Sequence, residues 1–172
     1  MKPIPSAIII ITIVALYSLI ALVSCEGAEI DISKIIQIES SGNPNAYNKS
    51  SGAIGLMQIT PVCLEDWNTF KSGKMYGEIA RCNKNDCENY TLFEYYNLGD
   101  LYNPTINVKI GTWYINERIP QMLEAFDIPD TVENRLIAYN FGVGNLRKYL
   151  EGEKKLPKET KNYILKYKRL NQ

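Results

Sequence analysis

The amino-acid sequence predicts a mainly α-helical domain with little or no β-structure, preceded by a segment directed to a membrane. Three observations carry that prediction. Apolar residues recur at spacings of three and four in separate stretches: Ile32, Ile35 and Ile36; Ile106, Ile110, Trp113 and Tyr114; Tyr163, Ile164, Tyr167 and Leu170. That is the helical period. Clusters of Gly, Pro and Asn punctuate those stretches. Finally, Ala7 to Ser24 contains no charged residue and follows Lys2.

Eighteen apolar residues are at the lower limit of what spans a bilayer as a helix. A charged start, an apolar run and small residues before a cleavage point also describe a secretory signal. The tetrapeptide Leu22-Val23-Ser24-Cys25 resembles a bacterial lipoprotein box, in which Cys25 is lipidated and becomes the mature N-terminus. An uncleaved anchor helix is the alternative. Either outcome places the rest of the chain outside the cytoplasm, tethered to a membrane. Residues 1–24 form the signal or anchor, 25–30 a short tether, and 31–172 the domain.

The first helix is expected from Asp31, a good N-cap, to about Ser41. Glu39 lies in register with the stripe Ile32, Ile35, Ile36, so its carboxyl faces an apolar surface. Burial penalises the anion and predicts a raised pKa, and a carboxylic acid still protonated near neutral pH is suited to acid-catalysed cleavage of a glycosidic bond. Gly42-Asn43-Pro44-Asn45 breaks the helix. Residues 45–60 read as loop and short extended structure, ending in a turn at Thr60-Pro61.

Residues 62–100 have the weakest periodicity and predict a surface insertion. Of the four cysteines, at 25, 63, 82 and 87, lipidation of Cys25 leaves three and at most one disulfide. Cys82 with Cys87 closes a short loop and is the preferred pair in an oxidising compartment. Cys63 with either of them is the alternative, because sequence does not fix connectivity. From Pro104 the helical pattern returns and runs to Phe126, framed by Asp127-Ile128-Pro129, with Pro120 as the expected kink. Thr131 to about Asn140 is a further helix stopped by Gly142 and Gly144, and the last helix starts near Lys158.

Loss of residues 1–24 leaves 148 residues with 18 basic and 19 acidic side chains. Such a neutral chain lacks the basic excess of a nucleic-acid binder. Twelve tyrosines suit neutral, hydroxyl-rich ligands such as glycans. Histidine is absent altogether. That excludes Ser-His-Asp and Cys-His nucleophile pairs and the His-Glu-x-x-His zinc site. Catalysis then rests on carboxylates, Tyr, Lys, Ser or backbone groups.

Four segments in order carry the most information: Glu39-Ser40-Ser41-Gly42-Asn43-Pro44; Ser51-Gly52-Ala53-Ile54-Gly55-Leu56-Met57-Gln58-Ile59-Thr60-Pro61; Ala138-Tyr139-Asn140-Phe141-Gly142-Val143-Gly144; and Leu156-Pro157-Lys158-Glu159-Thr160-Lys161-Asn162-Tyr163. Leu101-Tyr102-Asn103-Pro104, followed by Asn107 and Gly111, lies between the second and third. Together they resemble the catalytic domain of soluble-lytic-transglycosylase-type enzymes, over roughly residues 30–168. The resemblance implies a goose-type lysozyme-like helical fold and a peptidoglycan lytic transglycosylase. Glu39 is then the single catalytic acid and base, cleaving between N-acetylmuramic acid and N-acetylglucosamine with formation of a 1,6-anhydro ring. Ser40 helps hold the reacting sugar or the glutamate. Met57 and Gln58 line the glycan groove, Tyr139 and Asn140 contribute its floor, and Tyr163 sits beside the carboxyl. No cofactor or metal is implied, and the partners are peptidoglycan strands and, through the N-terminal lipid or anchor, a membrane. A monomer is expected.

The insertion at 62–100 is longer than the family's usual link. Glu65, Asp66 and Asp100 near its ends are candidates for a second carboxylate, which would make the protein a muramidase. A non-cleaving module that binds glycan or a secretion partner is a third reading.

Overall fold

The computed structural model describes residues 29–79 and 95–170. The apolar run Ala7–Ser24, Cys25, Cys82 and Cys87 lie outside the described residues. Ile30 is already buried, so the packed domain begins within the stretch read as tether.

The first helix, α1, is Ile32–Ser40. Its start matches the expectation: the Asp31 carboxylate accepts from the Ser33 N–H at 3.0 Å, satisfying one of the donors that a helix N-terminus leaves unpaired. Its end is set by Ser41, which takes up left-handed backbone (φ 53°) while its N–H still reaches the Gln37 carbonyl. The Asp31 N–H donates to the Tyr167 hydroxyl at 2.8 Å, tying the start of α1 to the last helix.

Thr60-Pro61 is the start of a helix, not a turn. Helix α2 spans Pro61–Ile79, with the Thr60 hydroxyl accepting from the Cys63 N–H at 3.2 Å and proline at the first helical position, where its missing N–H costs nothing. This corrects the reading of residues 62–100 as a surface insertion throughout. Cys63, Leu64 and Trp67 are buried on one side of α2, and Trp67 meets Trp113 edge-on at 5.1 Å between ring centroids. The returning chain is fixed by the Asn68 amide, which accepts from the Tyr96 N–H and donates to its carbonyl at 3.1 and 2.9 Å. Cys63 is a buried thiol, and its two candidate partners, Cys82 and Cys87, lie outside the described residues.

A 3-10 turn, Leu98–Tyr102, leads into α3 (Pro104–Trp113). A π-helical turn (Tyr114–Arg118) and α4 (Ile119–Ala125) continue the same rod. The sequence shows why. The fully buried stripe Ile110, Ile115, Ile119, Leu123 is spaced five, four, four. An ordinary α-helix would rotate Ile115 off the core; one wider turn absorbs the extra residue. Ile119 accordingly donates to the Tyr114 carbonyl, five residues back. The expected disturbance at Pro120 therefore falls one turn earlier, as this π segment.

Helix α5 is Val132–Phe141, capped by the Thr131 hydroxyl on the Asn134 N–H at 3.1 Å. Gly142, at φ 87°, turns the chain directly into α6, Val143–Leu150. Sequence reading missed α6 by taking Gly144 as a second stop. Helix α7, Lys158–Arg169, packs against α1 and α5. Among the described residues β-structure is confined to the isolated bridges Tyr47–Ile54 and Ile54–Ile59. The fold is mainly α, as expected.

Candidate active site

Four pieces of chain converge on one cavity of about 510 Å³: the end of α1, the loop 46–60, the end of α5, and α7. Its walls include Glu39, Asn48, Gln58, Asn140, Asn162 and Tyr163. Each is placed by local structure with an identifiable cause.

The loop 46–60 is organised by a side chain from outside it. Asn107, fully buried on α3, accepts from the Met57 N–H and donates to the Ile54 and Leu101 carbonyls, each at 2.8 Å. Buried backbone groups need partners, and this one amide supplies three. Gly55 makes the approach possible. Its φ of +79° disfavours side chains, and a Cβ there would strike the Asn107 amide and come within 2.5 Å of the Leu101 carbonyl oxygen. Ile54 and Ile59 exchange two backbone hydrogen bonds of 3.0 Å, closing the tip. Gln58 within it has left-handed backbone (φ 49°), held by its side-chain amide donating to the Gly55 carbonyl at 3.0 Å.

Met57 corrects an expectation. Its side chain is wholly buried, seated where Gly111 leaves room, and so contributes core, not groove wall. What Met57 offers the site is backbone: its carbonyl accepts from the Tyr139 hydroxyl at 2.8 Å. Tyr139 thus joins α5 to the loop, while its neighbour Asn140 lines the cavity. Ser40 likewise acts between elements. Its hydroxyl reaches the Leu56 carbonyl at 2.8 Å, fastening the end of α1 beside the same loop.

Glu39 is brought into the cavity by these fastenings. Burial pushes its carboxyl up from 4.5 to about 7. The Tyr163 hydroxyl opposes that rise, Glu159 adds to it, and Lys166 opposes it. Tyr163 is itself buried, its hydroxyl without a partner in full hydrogen-bond geometry and facing Glu39. Burial and the Glu39 charge hold that phenol well above its ordinary range, so it stays a neutral donor. A carboxyl that titrates near neutrality can give and then retrieve a proton in one cycle.

The three carboxylates read from sequence as possible partners lie elsewhere. Asp66 is paired with Arg118 at 2.8 Å, under a guanidinium that stacks 3.9 Å from the Phe70 ring centroid. Asp100 caps the 3-10 turn through the Asn97 N–H at 2.7 Å, and Glu65 is exposed on α2. None lines the cavity. The carboxylate that does is Glu159. Sequence reading also passed over Asn48, Lys158, Asn162 and Lys166. Lys158, Asn162 and Lys166 recur every four residues, one face of α7, and that period was the available signal.

Comparison with known proteins bears on the family and the fold. Residues 27–162 match the transglycosylase SLT domain family. Membrane-bound lytic murein transglycosylase E of Buchnera aphidicola subsp. Baizongia pistaciae (strain Bp) is 41% identical over 85 residues, covering 49% of this chain and 31% of that protein. Among solved structures, the 70 kDa soluble lytic transglycosylase SLT70 of Escherichia coli superposes with a TM-score of 0.53 at 24% identity, over 84% of this chain and 21% of that one. The chain thus spans about a third of the curated relative's length and about a fifth of SLT70. The SLT70 likeness establishes the fold alone; the match over residues 27–162 shows that the chain belongs to the transglycosylase SLT domain family.

Proposed function

We propose that this protein is a peptidoglycan lytic transglycosylase in which Glu39 serves as acid and then as base. The observation that carries the reading is the Glu39 carboxyl, raised to about 7 by burial in a cavity walled by amide side chains. Family membership and the names of the relatives, lytic murein transglycosylase and soluble lytic transglycosylase, support the same substrate.

In the proposed reaction Glu39 protonates the oxygen linking N-acetylmuramic acid to N-acetylglucosamine, and the C1–O bond breaks. The acetamido oxygen of the muramic residue shares the positive charge that develops at C1. Glu39, now a carboxylate, takes the proton of the muramic C6 hydroxyl as that oxygen closes on C1. Proton and electron balance is complete without water, and the intramolecular attack gains from proximity. Tyr163 supplies a neutral donor to Glu39 while it is charged. Asn48, Gln58, Asn140 and Asn162 offer donors and acceptors matched to sugar amides and hydroxyls. Ser40 and Tyr139 position the elements that carry Glu39 and Gln58.

One observation favours a second reading. Glu159 lines the cavity with Glu39, and two carboxylates are what a hydrolase of the ordinary kind uses. Mass analysis of muropeptides from purified peptidoglycan separates the two. The transglycosylase releases products one water lighter and without a reducing end, whereas the hydrolase releases reducing ends. Full activity in Glu39→Gln would remove Glu39 from the role of acid. Sacculus binding with no fragment released would point to a non-cleaving module.

Membrane tethering through Cys25 belongs to the same proposal. A Cys25→Ser chain that loses processing and membrane retention is the expected result. One that stays membrane-bound and unprocessed indicates an anchor helix.

A further inference from the structure

The chain enters the domain at a defined place. Glu29 is exposed, Ile30 is buried, and the Asp31 N–H is bonded to the Tyr167 hydroxyl near the end of α7. Lys34 lies over the Tyr167 ring, 5.5 Å from its centroid. Lys168 reaches Glu133, in the first turn of α5, at 2.7 Å. The starts of α1 and α5 and the end of α7 therefore share one end of the molecule. Glu39 and Asn140 stand at the opposite ends of α1 and α5, where both line the cavity. Glu29 is four residues beyond Cys25. A chain spans at most ~3.6 Å per residue, so a lipid on Cys25, or an anchor helix ending there, keeps the entry point within about 15 Å of the lipid surface.

The end of α7 has a composition suited to that neighbour. From Lys161 to Leu170 it holds four basic residues and no acidic one. Cations in a last helical turn answer the helix dipole, which accounts for Lys166, Lys168 and Arg169 but not for the leucines among them. Leu165 and Leu170 are 49% and 45% exposed. Leu165 has Lys161, Lys168 and Arg169 as neighbours at spacings of four, three and four, and all three are exposed. Among the described acids at this end, Asp31 is paired with Lys34 and Glu133 with Lys168, which leaves Lys161, Lys166 and Arg169 against Glu29. An apolar side chain ringed by cations settles into an anionic lipid interface: the leucine enters the headgroup layer and the cations meet phosphate.

We propose that the Lys161–Leu165–Lys168–Arg169 flank of α7 lies on an anionic phospholipid surface, a second attachment that orients the domain. The proposal rests on the membrane-tethering reading above and adds to it a face and a lipid charge. A short tether holds lipid at high effective concentration, so a flank too weak to retain the domain alone suffices to orient it. None of these four residues lines the cavity, and the contact leaves it open.

The test places a photoreactive benzoylphenylalanine at position 165, 170 or 150 of the full chain, each a leucine in the native protein. Leu150, on α6, is 52% exposed and is the control. The chains are reconstituted with phosphatidylcholine vesicles, with and without phosphatidylglycerol, and both flotation and crosslinked lipid are measured. Positions 165 and 170 should capture about ten-fold more lipid than position 150 in the anionic vesicles, the scale set by three surface cations. Combining Lys161→Gln, Lys168→Gln and Arg169→Gln should remove most of that excess, as should high salt. Lys155→Gln, an exposed cation outside α7, should change nothing. Unaltered helical circular dichroism of the triple variant excludes misfolding as the cause. A chain that floats with both vesicles yet labels lipid equally from 165, 170 and 150 keeps its tether and overturns the proposal. Flotation with anionic vesicles alone, lost in the triple variant, removes the tether and upholds the flank. Flotation with neither overturns both. Crosslinks from 165 to a second copy of the chain or to another protein, in place of lipid, assign the flank to a protein partner and also overturn the proposal.

Discussion

The Tyr139 hydroxyl donates to the Met57 carbonyl oxygen at 2.8 Å, across 82 residues of sequence. The bond spans from α5 to the loop that presents Gln58, so the cavity's floor and one wall share a fixed distance. Tyr139→Phe keeps the ring and removes only the donor. The Met57 carbonyl is then left without that partner, a loss of about 1–2 kcal/mol. Urea unfolding at constant pH should show a lower midpoint with unchanged slope, and an unaltered midpoint would mean the bond contributes nothing.

Glu39 should make the protein less stable as pH rises. Its folded pKa, about 7, lies above the ordinary 4.5, so the folded chain holds the proton more tightly than the unfolded one. The stability tied to the protonated carboxyl is complete below about 4.5 and is lost as pH climbs through 7. Glu39→Gln cannot ionise and escapes that loss. At pH 8 the variant should exceed wild type by on the order of 1–3 kcal/mol, with the gap closing near pH 4. A gap that does not change with pH would contradict a raised pKa.

The same carboxyl sets the expected pH–rate profile. As the proton donor it must be protonated in the free enzyme, so kcat/KM should fall tenfold per pH unit above about 7. Lys166 lowers the Glu39 pKa, and Lys166→Gln should displace this limb to higher pH. Titration followed on turbid sacculi or soluble strands would measure both.

Gly55 and Gly152 provide a matched pair. Both have φ near +80°, but a Cβ at Gly152 meets nothing within 4 Å whereas at Gly55 it collides with Asn107 and the Leu101 carbonyl. Gly152→Ala should cost about 1 kcal/mol, the backbone strain alone. Gly55→Ala should cost several times more and reduce activity as well, because the loop carrying Gln58 is displaced. Thermal unfolding and strand cleavage measured together would show whether the two effects travel together.

The site was legible in sequence where side-chain period and burial speak about the same residue. Glu39 is the clearest instance: its register with Ile32, Ile35 and Ile36 predicted the burial that raises its pKa. Met57 shows the opposite case, because an apolar residue in a loop motif has no periodicity to say which way it points. Its direction is decided by space left at Gly111, 54 residues away. Asn107 was noted only as part of a motif, since nothing local reveals that one amide satisfies three backbone groups of other segments. The helix α2 was masked by a run of polar and aromatic residues without a strong stripe, although Thr60-Pro61 held its start signal. The π turn was written in the five-residue step from Ile110 to Ile115, which a search for threes and fours passes over. Glu159 and the lysines of α7 looked like an ordinary solvated helix face until the fold set α1 opposite them.

The bond from the Asp31 N–H to the Tyr167 hydroxyl, 2.8 Å long, has a mechanical consequence. A pull on the chain at Glu29 enters the domain at the end of α1 opposite Glu39. The buried Ile30 and the Tyr167 hydroxyl bear that load before α1 itself does. Tyr167 belongs to the same helix as Tyr163 and Lys166, so the bond couples the N-terminal end of α1 to the helix that carries one wall of the cavity.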